Sequence, residues 1–228
     1  MQRNSSPLVR PERGWDRGID RVLGPTFGGA LSDRTRERLA HYLDETIRWG
    51  SRVDLTAARS VDELLDLSLA DAGVVARAEL EQGRSEDELV DVGSGGGAPG
   101  IPLLVLLAGQ RGDGLRARLV EPREKRSAFL RSVVGGLGLP GIEVVRSRSD
   151  RLADGSADVA LARATLPPPE WLTEGSRLAR RTVWVLLARE AAPSAPHCQL
   201  IRREEYQLPL TGIGRTAVAY RVGTPDPA

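Results

Sequence analysis

Hydrophobic residues in the first third of the chain recur with the period of an α-helix. Behind Ser32 and Asp33 they stand three and four positions apart as far as Trp49, which predicts one helix with Ser32 or Asp33 as its cap. A second helix is predicted from residues 60–63 onward, because the letters S-V-D-E there have the spacing of a capping box. Two helices are therefore expected before the first strand.

Residues 1–30 show no such period. They are polar and rich in glycine, proline and arginine, which is typical of a mobile arm, with Trp15 and Phe27 as candidate apolar anchors. We therefore predict a flexible arm at 1–30, a helical extension at 31–85 and a main domain at 86–228.

From Glu88 onward, short apolar runs alternate with segments of helical period. The predicted strands are 88–92, 116–121, 142–146, 157–162 and 182–188, and the predicted helices between them lie near 98–109, 123–136 and 168–180. This alternation is typical of parallel βαβ crossovers and predicts an α/β fold with a doubly wound sheet. The last two runs, 199–208 and 216–222, have no helix between them and predict an antiparallel hairpin.

A glycine-rich turn joins the first predicted strand to the helix after it. Residues 91–100 read D-V-G-S-G-G-G-A-P-G, and glycines at such a turn let the backbone approach a ligand closely. Two classes of nucleotide-cofactor site have a turn of this kind. The spacing of Gly95, Gly97 and Gly100 matches the dinucleotide fingerprint, whereas an acid just ahead of the first glycine, here Asp91 two positions before Gly93, is common in class I methyltransferases.

The order of the elements favours the methyltransferase class. Two helices precede the glycine turn, five strands follow one another, and a hairpin ends the chain. Glu121, which closes the second strand, does not discriminate, because both classes place a ribose-hydroxyl acceptor there. We therefore predict a class I methyltransferase with a Rossmann-like doubly wound sheet, an antiparallel C-terminal hairpin and an N-terminal helical extension. A dinucleotide enzyme is the alternative.

The cofactor of the predicted class is S-adenosyl-L-methionine. The glycines of the turn are expected to pack against its methionine part and ribose, and Glu121 to accept hydrogen bonds from the ribose hydroxyls. After the third strand, Ser149 and Asp150 offer backbone groups and a carboxylate to the adenine. Arg163 ends the fourth strand, where it can contact the cofactor carboxylate or a phosphate.

Composition and charge exclude several classes of protein. The 228 residues carry a formal net charge of +1, so the molecule as a whole lacks the basic character of many nucleic-acid binders. Cys198 is the only cysteine and there are two histidines, so we expect neither an internal disulfide nor a metal site. No apolar run approaches the roughly 20 residues that span a bilayer, and we expect a cytoplasmic protein without membrane contact.

In these segments the chain resembles the GidB/RsmG family, which methylates guanine N7 in bacterial small-subunit ribosomal RNA. The glycine turn continues into Ile-Pro-Leu at 101–103, similar to the family's loop almost letter for letter, and residues 49–56 resemble its Trp-Asn…Leu-Thr segment. Further resemblances are Glu121 with Lys125-Arg126 and Phe129-Leu130, residues 148–150, Arg163-Ala164 and the last hairpin. The resemblance covers about residues 35–222.

This resemblance implies a cofactor site and a partner. Together with the strand pattern, it predicts the cofactor-binding residues Asp91, Gly93, Gly95, Gly97, Ala98, Glu121, Ser149, Asp150 and Arg163. The implied partner is ribosomal RNA or the small ribosomal subunit. If RNA is the acceptor, we expect Arg123, Lys125, Arg126 and Arg131 to bind its phosphates, and the acidic stretch 62–71 to face away from it.

Three departures from the family pattern leave the acceptor open. The family's His-x-x-Asp-Ser in the second helix reads S-L-A-D-A at 68–72, its large apolar residue in the glycine turn is Ala98, and its Lys-Gly after the fifth strand is Arg189-Glu190. A methyltransferase of the same fold acting on a small molecule or another non-ribosomal acceptor is therefore the alternative function. A cofactor-binding regulator without catalysis is a third possibility.

The chemistry of guanine N7 requires few protein groups. N7 carries a lone pair and no proton, so a methyl transfer to it needs alignment of the reactants and no general base. Methylation through a covalent pyrimidine adduct would require a cysteine near the fourth or fifth strand. Cys198 lies beyond both strands. The sequence therefore assigns no catalytic residue.

Overall fold

The computed structural model describes residues 8–83 and 87–223. Its helices are α1 (Asp16–Thr26), α2 (Asp33–Gly50), α3 (Val61–Glu81), α4 (Gly100–Arg111), α5 (Glu124–Leu137) and α6 (Pro168–Leu178). Its strands are β1 (Glu88–Val92), β2 (Arg116–Val120), β3 (Ile142–Val145), β4 (Ala157–Ala162), β5 (Ala179–Leu187), β6 (Cys198–Gln207) and β7 (Gly214–Val222). None of these helices is both long enough and apolar enough to cross a bilayer.

The seven strands form one sheet in the order β3-β2-β1-β4-β5-β7-β6. Strands β1 to β5 are parallel, while β7 runs antiparallel to both β5 and β6. The doubly wound sheet and the antiparallel C-terminal hairpin predicted from the alternating pattern are both confirmed. Because the strand order reverses on either side of β1, ligands are expected beyond the carboxyl ends of β1 and β4, here named the carboxyl edge.

Both helix caps predicted from the sequence are present. The Ser32 hydroxyl accepts from the Thr35 N–H at 3.2 Å, and the Ser60 hydroxyl accepts from the Glu63 N–H at 3.1 Å. The return bond of the capping box is displaced by one residue, because Glu63 accepts from the N–H of Arg59 at 2.6 Å. These caps set where α2 and α3 begin, and thus how the two helices meet the sheet.

The prediction of a mobile arm over residues 1–30 is wrong for α1. Trp15, Ile19 and Val22 are buried, with Ile19 and Val22 fully inaccessible. A Cβ on Gly18 would collide with the Leu65 side chain of α3, so α1 crosses α3 closely. The composition argument failed because it averaged polar residues over the whole segment and missed one apolar helical face.

Hydrophobic residues pack on both faces of the sheet. Along β1, Leu89 belongs to the larger cluster, which includes α1 to α5, and Val90 belongs to the smaller one under α6. This alternation follows from the two-residue period of a strand. The helical extension therefore shares the main core. Its predicted boundary with the main domain, at residues 85 and 86, lies outside the described residues.

Replacing Trp15 by alanine should destabilise the protein by about 3–5 kcal/mol, because the buried indole leaves a cavity between α1 and the rest of the core. Its Nε1–H also donates to the Asp44 carboxylate at 2.7 Å, and this bond would be lost. The measurement is the free energy of unfolding in urea. Val9→Ala is the matched control, since Val9 is 68% exposed. Equal stability of the two variants would show that α1 is not held by Trp15.

Candidate active site at the carboxyl edge

The glycine turn between β1 and α4 has a backbone that requires glycine. Gly93, Gly95 and Gly97 have φ of 69°, 54° and 85°, in the left-handed region that side chains disfavour. The Gly93 N–H donates to the Val120 carbonyl at 2.8 Å, and the Ser94 hydroxyl donates to the Asp91 carbonyl at 2.9 Å. The turn is thus fixed to the end of β2 and lies at the carboxyl edge.

Glu121 holds this turn from the end of β2. It is 3% exposed, its Oε2 accepts from the Gly95 N–H at 2.9 Å, and its Oε1 accepts from the Arg123 N–H at 2.8 Å. Two backbone donors therefore satisfy a carboxylate that would otherwise be costly to bury. The structure brings Glu121 and the predicted glycines together.

Asp91 lies behind the turn and does not line the cavity at the carboxyl edge. A Cβ on Gly100 would overlap its carboxylate, and among the described residues Oδ2 has no hydrogen-bond partner. Burial raises the pKa of Asp91 to about 7, although the positive charge of Arg163 lowers it. Asp91 therefore keeps a proton well above the pH at which an ordinary aspartate loses it.

The segment predicted for the adenine follows β3 at the same edge. Ser149 begins a short 3-10 helix, Ser149–Arg151, and Asp150 is exposed and lies 3.7 Å from Arg148. Arg177 of α6 donates to the Ser149 carbonyl at 2.9 Å. The position of this segment is thus fixed by α6, whereas the Asp150 side chain faces solvent.

A cavity of about 330 Å³ opens beside the glycine turn. Gly96 and Ala98 line it from the turn, Arg163 and Ala164 from the end of β4, and Leu186 from β5. Ala164 has φ of 54°, a conformation that costs energy in a residue with a side chain. Such strain in a cavity wall is typical of functional sites.

Helix α3 supplies the polar wall of the cavity. Asp71 accepts from Arg163 at 3.0 Å and from the Tyr206 hydroxyl at 2.5 Å. Asp66 is fully buried and accepts from Leu210 and Thr211 in the turn between β6 and β7. These two residues of the acidic stretch 62–71 therefore point into the molecule, and the orientation of the stretch away from RNA stays a prediction. Both carboxylates satisfy donors inside the chain.

Two tyrosines at the site were not among the site residues predicted from the sequence. The Tyr42 hydroxyl donates to the Gly96 carbonyl at 2.8 Å, and burial raises the Tyr42 pKa. Burial and the neighbouring Asp71 raise the Tyr206 pKa well above its usual range. Tyr42 fits the helical period of apolar residues behind Ser32, but that period does not reveal that its hydroxyl reaches the glycine turn.

The four basic residues predicted to bind RNA differ in their surroundings. Arg123 and Lys125 are exposed at the start of α5, and Arg131 is exposed in the middle of that helix. Arg126 is only 24% exposed in its side chain, and it donates through Nε and Nη2 to the Asp54 carbonyl at 3.1 and 2.7 Å. Its guanidinium thus already has a partner within the chain.

The family model for GidB, rRNA small subunit methyltransferase G, matches residues 35–192. The chain belongs to this family. Ribosomal RNA small subunit methyltransferase G of Halorhodospira halophila is 36% identical over 173 residues, covering 76% of this chain and 74% of that protein. The protein of the same name from Myxococcus xanthus is 28% identical over 213 residues, covering 88% of this chain and 92% of that protein.

Two solved structures with a similar fold carry methyltransferase names. The 1,6-didemethyltoxoflavin-N1-methyltransferase of Burkholderia thailandensis, solved with S-adenosylhomocysteine, superposes with a TM-score of 0.52 at 15% identity, covering 86% of this chain and 93% of that chain. A putative RNA methyltransferase of Pyrococcus horikoshii superposes with a TM-score of 0.51 at 12% identity, covering 68% of this chain and 85% of that chain. The class I fold is confirmed, and this family member is an S-adenosylmethionine-dependent methyltransferase.

The residues at the glycine turn suit that cofactor. A Cβ built on Gly95 would meet only Arg126 Nη1 and the Gly93 carbonyl, each at 3.6 Å, so the turn is open on that side. The Glu121 carboxylate stands beside this opening and can accept from ribose hydroxyls. Within residues 8–83 and 87–223, no cluster of three metal-ligating side chains is found.

Replacing Asp91 by asparagine should change how stability depends on pH. Because the pKa of Asp91 is raised in the folded protein, the wild type binds an extra proton between about pH 4 and about pH 7 and loses stability as the pH rises through this window. Asparagine does not titrate. The unfolding free energy of Asp91→Asn relative to wild type should therefore increase between about pH 5 and about pH 8.

Urea unfolding at several pH values measures this difference. Asp150→Asn is the control, because Asp150 is exposed. A difference between Asp91→Asn and wild type that does not vary with pH would contradict the raised pKa.

Proposed function

We propose that this protein transfers a methyl group from S-adenosylmethionine to N7 of a guanine in small-subunit ribosomal RNA. The observation that carries the proposal is the cavity bordered by the glycine turn and by Arg163, within a chain whose family is named for methylation of small-subunit ribosomal RNA. The relatives from Halorhodospira and Myxococcus have that activity in their names.

The cofactor would lie along the carboxyl edge from β4 to β3. Gly93, Gly95 and Gly97 would face its methionine part and ribose, while Glu121 would accept from the ribose hydroxyls. Ser149, Asp150, Ala98 and Arg163 complete the proposed set of cofactor contacts, while Asp91, predicted with them, would act from behind the turn, outside the cavity. When bound, the cofactor supplies a methyl group activated by a sulfonium.

The cavity residues are suited to holding an acceptor that has no proton to lose. Asp71 is engaged by Arg163 and Tyr206, and Tyr42 donates to the Gly96 carbonyl. These bonds keep the walls rigid, so the protein's contribution is alignment of the reactants. When guanine attacks the methyl group through N7, no proton has to be removed, so the site needs no proton acceptor.

RNA would approach over the start of α5. Arg123 and Lys125 are exposed there, close to the end of β2 that precedes Glu121, and Arg131 is exposed farther along the same helix. Arginine and lysine side chains contribute most of the non-specific affinity for phosphates. We therefore propose these three residues as the phosphate-binding rim, with the small ribosomal subunit as the partner.

A small-molecule acceptor is the second candidate. The cavity volume of about 330 Å³ lies within the range of small-ligand pockets. Ser68, which stands where the family usually has histidine, lines the cavity, and so does Glu190 at the position of a glycine. These departures favour this alternative, and the RNA experiment below separates the two.

Glu121→Gln should weaken the affinity for S-adenosylhomocysteine by about 1–3 kcal/mol, because glutamine keeps the size and loses charge-assisted acceptance. The loss should be smaller for the 2′-deoxyribose analogue, which lacks one hydroxyl. Isothermal calorimetry measures both affinities. If both ligands weaken equally, Glu121 acts only by holding the Gly95 and Arg123 N–H groups.

Unmethylated small ribosomal subunits, incubated with labelled cofactor and the enzyme, should gain 7-methylguanosine, detected by nucleoside mass spectrometry. RNA affinity should fall with salt, with a log–log slope of roughly 0.7 per phosphate contact for single strands. Charge reversal of Arg123, Lys125 and Arg131 to glutamate should weaken RNA binding and reduce this slope.

Arg116→Glu is the matched control for the charge reversals. Arg116 is exposed at the opposite end of β2, away from the carboxyl edge. If the small subunits gain no methyl group and RNA binding does not depend on salt, RNA is rejected as the acceptor and a small molecule is favoured.

A further inference from the structure

Residues 54–57, here named the strap, lie across the glycine turn. A Cβ on Gly96 would overlap the carbonyl oxygen of Leu55, so the two backbones are in close contact. Leu55, Thr56 and Ala57 line the cavity together with Gly96. The strap is therefore a wall of the site, although it belongs to the connection between α2 and α3.

Arg126 holds the strap through its backbone. Nε and Nη2 both donate to the Asp54 carbonyl, at 3.1 and 2.7 Å. The Asp54 carboxylate contributes little, because it lies 4.0 Å from Nη2 and is 93% exposed. The attachment thus depends on the Arg126 guanidinium and hardly at all on the Asp54 side chain.

The same guanidinium lies next to the open side of the turn. A Cβ built on Gly95 would be 3.6 Å from Arg126 Nη1. On its other side the turn is held by Tyr42, whose hydroxyl donates to the Gly96 carbonyl at 2.8 Å. Gly96 is thus held between α2 and the strap, and the Arg126 guanidinium contacts the strap beside the open side of the turn.

We infer that Arg126 is a positioning residue for the cofactor, which acts by holding the strap against the glycine turn. The inference rests on the proposed placement of the cofactor at this turn. The inference gives Arg126 a role that Arg131 does not have, because Arg131 lies on the same helix but is exposed. Without Arg126 the strap is free to move, so ligand binding must also order the strap, and this lowers the affinity for the ligand.

The test compares four variants by calorimetry with S-adenosylhomocysteine: Arg126→Ala, Arg126→Lys, Arg131→Ala and Asp54→Ala. Arg126→Ala should weaken binding about tenfold, which corresponds to loss of a charge-assisted contact. Arg126→Lys should recover part of this loss, because one ammonium can donate to the Asp54 carbonyl. Arg131→Ala and Asp54→Ala should stay within about twofold of wild type.

Limited trypsin digestion gives a second readout that does not depend on activity. Arg52 and Arg59 flank the strap and are exposed, so trypsin reports how well the strap is held. Without ligand, cleavage after these residues should be faster in Arg126→Ala than in wild type or in Arg131→Ala. Unfolding in urea shows whether Arg126→Ala is folded. If it is not, the affinity and the cleavage rate are compared in Arg126→Lys instead.

Unchanged affinity and unchanged cleavage in Arg126→Ala and Arg126→Lys would overturn the inference. So would a variant that binds S-adenosylhomocysteine normally and loses only RNA affinity, because Arg126 would then belong to the phosphate-binding rim. If wild type itself fails to bind S-adenosylhomocysteine, the proposed function fails instead. The two failures are thus distinguishable.

Discussion

Burial of the Glu121 carboxylate at the carboxyl edge is the constraint on which the site depends. The side chain is 3% exposed, and it is tolerated because the N–H groups of Gly95 and Arg123 donate to it. Gly95 can present its N–H in this way because its φ of 54° is open to glycine. One carboxylate thus joins the end of β2, the glycine turn and the start of α5, and the position of each depends on the others.

The N-terminal helices complete the site and share its core. Helix α2 reaches the glycine turn through Tyr42, and α3 reaches β4 and β6 through Asp71. Asp66 fixes the turn between β6 and β7, so the hairpin is held by α3 as well as by its strand partner. Because these bonds lie in the interior, the helices and the sheet form a single cooperative unit around the cavity.

The large number of arginines has an internal use. Arg38 is 8% exposed in its side chain and donates to the carbonyls of Leu137 and Gly138 at the end of α5. Arg177 and Arg126 likewise bind carbonyls of loops beside the site. The planar guanidinium can donate several bonds in a fixed geometry, which suits it to holding irregular backbone. A count of basic residues therefore overstates the charge that is free to meet RNA.

The sequence by itself determined the sheet, the glycine turn and the positions of Glu121 and Arg163. These follow from short-range rules: the period of apolar residues, the capping residues Ser32 and Ser60, and glycines between a strand and a helix. The family was identified from the same letters. Helix α1 was missed, because its one apolar face is hidden in a polar, glycine-rich composition.

Only the tertiary structure decided which polar side chains work together. Asp71 and Tyr206 are far apart in the chain, and no local pattern pairs them. Arg126 was expected to bind RNA from its place in a basic cluster, but its guanidinium lies against the Asp54 carbonyl because the connection from α2 to α3 passes over the glycine turn. Sequence patterns report the local environment of a residue, whereas such partners are fixed by how distant segments pack.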